Sequence, residues 1–70
     1  MVRIPGQVLE VCKAGAFRVQ VSMGENKNEI VCHLSGKMRM NSIKIVAGDN
    51  VDVEMSPYDL SKGRIVYRSK

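Results

Sequence analysis

Two short segments of this 70-residue chain alternate strictly between apolar and polar side chains. In the first, Phe17, Val19 and Val21 are separated by Arg18 and Gln20. In the second, Val51, Val53 and Met55 are separated by Asp52 and Glu54. A period of two places one set against a core and the other in water, which is the pattern of a half-buried antiparallel strand. Three further runs read as strands. Residues 6–13 are rich in Val and Leu, but their two faces do not separate cleanly. Residues 29–34 put Ile30, Cys32 and Leu34 on one face and Val31 and His33 on the other. Residues 64–68 put Ile65 and Tyr67 on the inner face and Arg64, Val66 and Arg68 together on the other. Turn chemistry separates these runs: Ala14-Gly15-Ala16, a polar hairpin loop over residues 22–28, Gly48-Asp49-Asn50, and Ser56-Pro57-Tyr58-Asp59. Residues 1–5 are expected to form a loose lead-in.

The alternation breaks once, over residues 33–48. Ser35 is suited to cap a helix through its hydroxyl. Residues 37–40 are good helix formers, and Asn41 and Ser42 close the segment because their side chains compete for backbone hydrogen bonds. The spacing predicts a helix of about two turns. Beyond it, Ile43 and Ile45 point inward and Lys44 outward. Five short strands with the only helix between the third and fourth is the layout of the five-stranded Greek-key OB barrel, which closes its sheet. An SH3-like barrel, the main rival, usually places its helical turn between the last two strands.

A chain of this length forms one domain with a thin core. Its 44% apolar content nevertheless marks it as a folding chain. No apolar run approaches the ~20 residues of a spanning helix, and the N-terminus lacks a signal peptide's apolar core. A cytoplasmic, soluble monomer without membrane contact is expected. Cys12 and Cys32 are then expected as small buried hydrophobes with free thiols. Catalysis finds little support. His33 is the lone histidine, and no nucleophile–base–acid set can be assembled around it. Cys12, Cys32 and His33 are too few and wrongly spaced for a zinc site, and no glycine-rich phosphate loop is present. Neither an enzyme nor a cofactor is expected, and Asp49, Asp52 and Glu54 read as solubilising groups.

The basic residues carry more information. The net charge is +4, which on so small a body favours polyanions. Lys37, Arg39 and Lys44 form one group, with His33 beside them and no acid within residues 33–48. Lys62, Arg64, Arg68 and Lys70 form a second, with only Asp59 close in sequence. Arg18 faces outward on the second strand. Arginine offers a planar fork that matches phosphate. With Phe17 and Tyr67 expected inside and only Tyr58 free, base stacking has few platforms. The composition therefore favours backbone contacts on structured RNA.

The phrases LSGKMR (34–39), IKIVAGD (43–49) and SPYDLSKGRIVYRSK (56–70), with Gly6-x-Val8-x-Glu10 and Phe17-Arg18-Val19, resemble the bacterial, or organellar, translation initiation factor 1 family. The resemblance runs from about Gly6 to the C-terminus. It implies an OB-fold protein without catalytic activity or cofactor. Such a protein would bind the aminoacyl-tRNA site of the small ribosomal subunit and contact decoding-region rRNA. It would assist the initiation GTPase and initiation factor 3 in selecting initiator tRNA and the start codon. Carried over by position, the family's RNA-contacting residues fall on Lys37, Arg39, Lys44, Arg64 and Arg68, and His33 matches a family histidine. The sequence departs from the family in three places. The loop over residues 22–28 is about three residues longer, the segment before Gly6 is shorter and lacks acids, and Met40 stands where a second basic residue commonly follows the arginine. A general single-stranded RNA chaperone of the cold-shock type is the alternative on the same barrel, and a protein-interaction barrel is a third reading.

Overall fold

The alternating segments wrap around one apolar core. The computed structural model describes residues 2–41 and 43–69. It contains β1 (Val2–Val11), β2 (Ala16–Met23), β3 (Asn26–Leu34), α1 (Gly36–Met40), β4 (Asn50–Ser56) and β5 (Asp59–Ser69). The strands close in the order β1-β2-β3-β5-β4, with β4 returning to β1. All neighbours are antiparallel except β3 and β5, which run parallel from Val31↔Lys62 to Leu34↔Ile65. This is the OB barrel, with its helix between β3 and β4. Val8, Phe17, Val19, Val21, Ile30, Cys32, Val51, Val53, Met55 and Ile65 fill it. Met38 of α1 and Ile45 of the following segment join the same cluster. Among the described residues, no helix is long and apolar enough to cross a membrane.

Several expectations change in the structure. Residues 2–5 are not a loose lead-in: Val2 to Pro5 pair with Met55 to Asp52 and form the first half of β1. The long polar loop over residues 22–28 is absent. Instead β2 and β3 stay paired as far as Met23↔Asn26 and turn on Gly24-Glu25 alone. Gly24 takes φ 66° at the first loop position, where a two-residue hairpin needs a residue free to adopt positive φ. The polar character of the stretch does not mark a loop; it reflects the exposed first residues of β3, Asn26 to Glu29.

Two bulges explain the irregular strands. The β1–β2 register shifts between Val8 and Glu10, so Val8 is buried while Glu10 and Val11 are exposed. That shift is why the faces of β1 do not separate by period. In β5, Asp52 pairs with Tyr67 but Val53 pairs with Ile65. The extra residue, Val66, breaks the period of two, as a bulge does. Tyr67 consequently faces outward, 53% exposed, rather than into the core. Arg64 and Arg68 do not share a face either: Arg64 lies opposite Glu54, whereas Arg68 lies opposite the buried Val51. Helix α1 has five residues rather than about two turns. Asn41 caps its C-terminus, and Ser42 lies outside the described residues.

Two backbone positions set local stability. A Cβ on Gly63 would lie 2.5 Å from Val53 Cγ1 and 3.0 Å from Ile30 Cδ1, both in the core. Gly63→Ala is therefore expected to destabilise the barrel by about 1–3 kcal/mol through overpacking, measurable by denaturant unfolding. The β1–β2 connection turns on Ala14 (φ 60°, ψ 33°) and Gly15 (φ 72°). This is the I′ geometry, which strains alanine and suits Asn-Gly. Ala14→Asn is expected to stabilise the protein by about 1 kcal/mol and raise Tm by ~4–8 °C. An unchanged or lower Tm would show that the turn is not strained.

Candidate nucleic-acid interface

Strand pairing lines up the outward side chains in rows. One row runs Ala16, His33, Arg64, Glu54 and Arg3 across β2, β3, β5, β4 and β1. The next runs Glu10, Arg18, Val31 and Lys62 across β1, β2, β3 and β5. The parallel pairing of β3 and β5 thus puts His33 beside Arg64 and Val31 beside Lys62. None of this proximity follows from spacing along the chain.

Most sheet arginines already face carboxylates. Arg64 Nη2 lies 2.9 Å from Glu54 Oε1. Arg3 Nη2 lies 3.2 Å from Asp52 Oδ2. Arg18 sits between Glu29, at 3.2 Å, and Glu10, at 3.8 Å. As an RNA contact Arg18 is therefore the poorest of the candidates, because two acids offset its charge. Asp52 and Glu54 are not merely solubilising groups, since each pairs with an arginine across a strand. Asp49 holds a turn, with its Oδ2 accepting the Val46 N–H at 3.0 Å. The second basic group also has more acid beside it than Asp59, because β4 brings Glu54 against Arg64. Its last member, Lys70, lies outside the described residues. Asp59 itself accepts from the Ser61 hydroxyl at 2.6 Å and the Ser61 N–H at 3.0 Å. These bonds, with Lys62 nearby, hold its carboxyl below the usual carboxylate range.

The basic segment after β3 differs. Lys37, Arg39 and Lys44 are exposed, and no carboxylate among the described residues pairs with them. The backbone that carries them is fixed at several points. The Ser35 N–H donates to the Ile65 carbonyl at 2.9 Å. Ser35 Oγ accepts the Met38 N–H at 3.2 Å, so the serine caps the helix as its position predicts. Met38 is buried beneath the helix. Arg68 donates a guanidinium N–H to the Lys44 carbonyl. Arg68 is thus half-buried and ties the segment to β5, a positioning role that the expected shared face with Arg64 would not have given it. Lys37 and Arg39 lie on α1, four and six positions after His33, at the end of β3 where Ser35 bonds to β5. Lys44 stands beside Arg68. Arg18 is separated from them by a strand and its own carboxylates. What the arrangement offers is a set of fixed, solvated cations suited to an anionic backbone.

Two features escape sequence reasoning: Glu54 as the partner of Arg64, and the exposed Tyr67. The alternation of β4 places Glu54 outward, but only the β4–β5 register says what it faces. The thiols offer contrasting chemistry. Cys12 is exposed, contrary to expectation, because it lies past the β1 bulge at the end of the strand. Cys32 is buried, and burial pushes its thiol up to about 12. Near pH 8 a thiol reagent is expected to label Cys12 readily and Cys32 only on unfolding. Because the raised value keeps Cys32 protonated in the folded state, its linkage leaves stability unchanged below an unfolded thiol's pKa of ~8.5 and lowers it as pH rises toward 12. Equal labelling rates for the two thiols would contradict this arrangement.

Comparison with known proteins adds to this geometry. Residues 3–70 match the family model described as "Translation initiation factor 1A / IF-1". A protein named translation initiation factor IF-1, from Ureaplasma parvum serovar 3, is 55% identical over 65 residues, which span 93% of this chain and 84% of that protein. The solution structure of translation initiation factor IF-1 from the Wolbachia endosymbiont strain TRS of Brugia malayi is 45% identical. It superposes with a TM-score of 0.77 and covers 99% of this chain and 78% of its own. The circularly permuted GTPase YloQ shares the fold alone, at 19% identity and a TM-score of 0.80 over 23% of its length.

Proposed function

The chain belongs to the translation initiation factor IF-1 family, and from that premise we propose that it works by occupying the aminoacyl-tRNA site of the small ribosomal subunit. In this reading the barrel is a binding module without a catalytic role. Its basic segment grips decoding-region rRNA, which blocks premature tRNA entry and biases the local RNA conformation. It assists the initiation GTPase and initiation factor 3 in selecting initiator tRNA and the start codon, and it leaves when the subunits join.

The observation that carries the proposal is the contrast between two kinds of cation. Arg3, Arg18 and Arg64 of the sheet face carboxylates, whereas Lys37, Arg39 and Lys44 stand exposed on a backbone anchored by Ser35, Met38 and Arg68. Anchoring matters because a fixed cation loses less freedom on meeting a phosphate. Arg64 and His33 stand side by side on the adjoining strands and extend the surface.

The test is binding of the purified protein to isolated small subunits, with footprinting of their RNA and a salt titration. Protection confined to the decoding region is expected. Arg39→Ala should fold normally, weaken binding and lower the salt slope by about one unit. Arg64→Ala should also weaken binding, while losing its exposed ion pair with Glu54 changes stability by at most about 1 kcal/mol. Arg18→Ala should alter the slope least. Undiminished affinity and slope in Arg39→Ala would reject the proposed surface.

A further inference from the structure

The outer crest of α1 is not a cation but a thioether. Met40 is 85% exposed, whereas Met38 on the same helix is 4% exposed and Met55 is fully buried. At about 100° per residue, Met40 lies about 200° around the helix from the buried Met38. Arg39 lies at about 100° and Lys37 at about 260°, so the two cations flank the methionine. A polyanion that meets Lys37 and Arg39 together must pass over Met40. A sulfur held in that position is both a contact and a target, because exposed methionines are the ones oxidants reach.

We propose that Met40 is an oxidisable site whose conversion to the sulfoxide weakens the grip of α1 on RNA. The inference rests on the reading of α1 as an RNA-gripping segment. The co-reactant is a peroxide. A sulfur lone pair attacks one peroxide oxygen and the O–O bond breaks. The sulfur loses two electrons, and the departing hydroxide takes the proton of the oxygen now bound to sulfur to become water. The product exchanges a soft apolar tip for a strong hydrogen-bond acceptor with no hydrogen to donate. Phosphate oxygens are acceptors too, so the new S–O group can accept no hydrogen bond from the phosphates it faces. It must be desolvated against like partial charge. The modification is reversible by methionine sulfoxide reductases, so it acts as a switch and not only as damage.

The experiment treats the whole protein with dilute hydrogen peroxide, maps the added oxygen by mass spectrometry, and measures Kd for isolated small subunits at fixed salt. Met40 is expected to be modified well before Met38 and Met55. Binding is expected to weaken about five- to tenfold and to recover after reductase treatment. The same peroxide exposure applied to Met40→Leu should leave that variant's own affinity unchanged. Oxidised Met40 with an unaltered Kd, in a protein whose Arg39→Ala variant does bind more weakly, overturns the inference and leaves the interface reading standing. Weakening that persists in Met40→Leu overturns it as well, since another residue is then responsible. If Arg39→Ala binds normally, the interface reading fails and the inference falls with it.

Discussion

Closure of the barrel depends on β5 passing the core at Gly63 with no side chain in the way. There a Cβ would press on Val53, Ile30 and Cys32, the side chains of three different core positions. The close approach lets β5 run parallel to β3 while also pairing with β4. That double pairing turns an open antiparallel meander into a closed sheet, and it decides which residues become neighbours. His33 and Arg64, 31 positions apart in the chain, stand side by side only because of it. The Ser35 N–H reaches the Ile65 carbonyl for the same reason. The helix cap, the helix and its cations are therefore all placed by one strand crossing.

Charge follows from this geometry. A closed barrel presents its outward residues in cross-strand rows, and in such rows opposite charges are near neighbours. Arg64 with Glu54, Arg3 with Asp52, and Arg18 with Glu10 and Glu29 are all pairs of this kind. Each contributes little to stability, because exposed ion pairs are worth at most about 1 kcal/mol. Their larger effect is on the field, since they leave the sheet faces with modest net charge. The surplus positive charge then concentrates on α1 and the segment after it, which have no facing strand to supply acids.

Much of the barrel is legible in the sequence because strand alternation is a local property. Val19, Val21, Val51, Val53 and Met55 are buried where a period of two puts them. Ser35 caps α1, and the helix falls between the third and fourth strands as its position in the chain requires. What the sequence conceals is non-local. A bulge such as that at Val66 has no composition signal, yet it turns Tyr67 outward and parts Arg68 from Arg64. The ribbon of residues 22–28 resembles a loop because Asn26, Lys27 and Asn28 are exposed one after another, so burial leaves no alternating imprint on them. Residues 2–5 resemble a tail because their pairing partner, β4, lies some fifty positions away. The basic stretch around Lys37, Arg39 and Lys44 is legible as a group, but the neutralisation of Arg18 by Glu10 and Glu29 needs the registers.

The same distinction explains why a five-residue helix can serve as a binding element. In isolation such a helix would not persist, because nucleation is unfavourable and so few residues cannot recover its cost. Here its first turn is fixed by Ser35, its underside by Met38 in the core, and the chain beyond it by Arg68 on the Lys44 carbonyl. None of those anchors uses the outer surface. The helix is thus held entirely from below, and Lys37, Arg39 and Met40 remain outward. An element secured in this way presents its side chains without owing its structure to them. Changes on its crest can therefore alter binding while the fold stays intact, whereas changes at Ser35 or Met38 alter both.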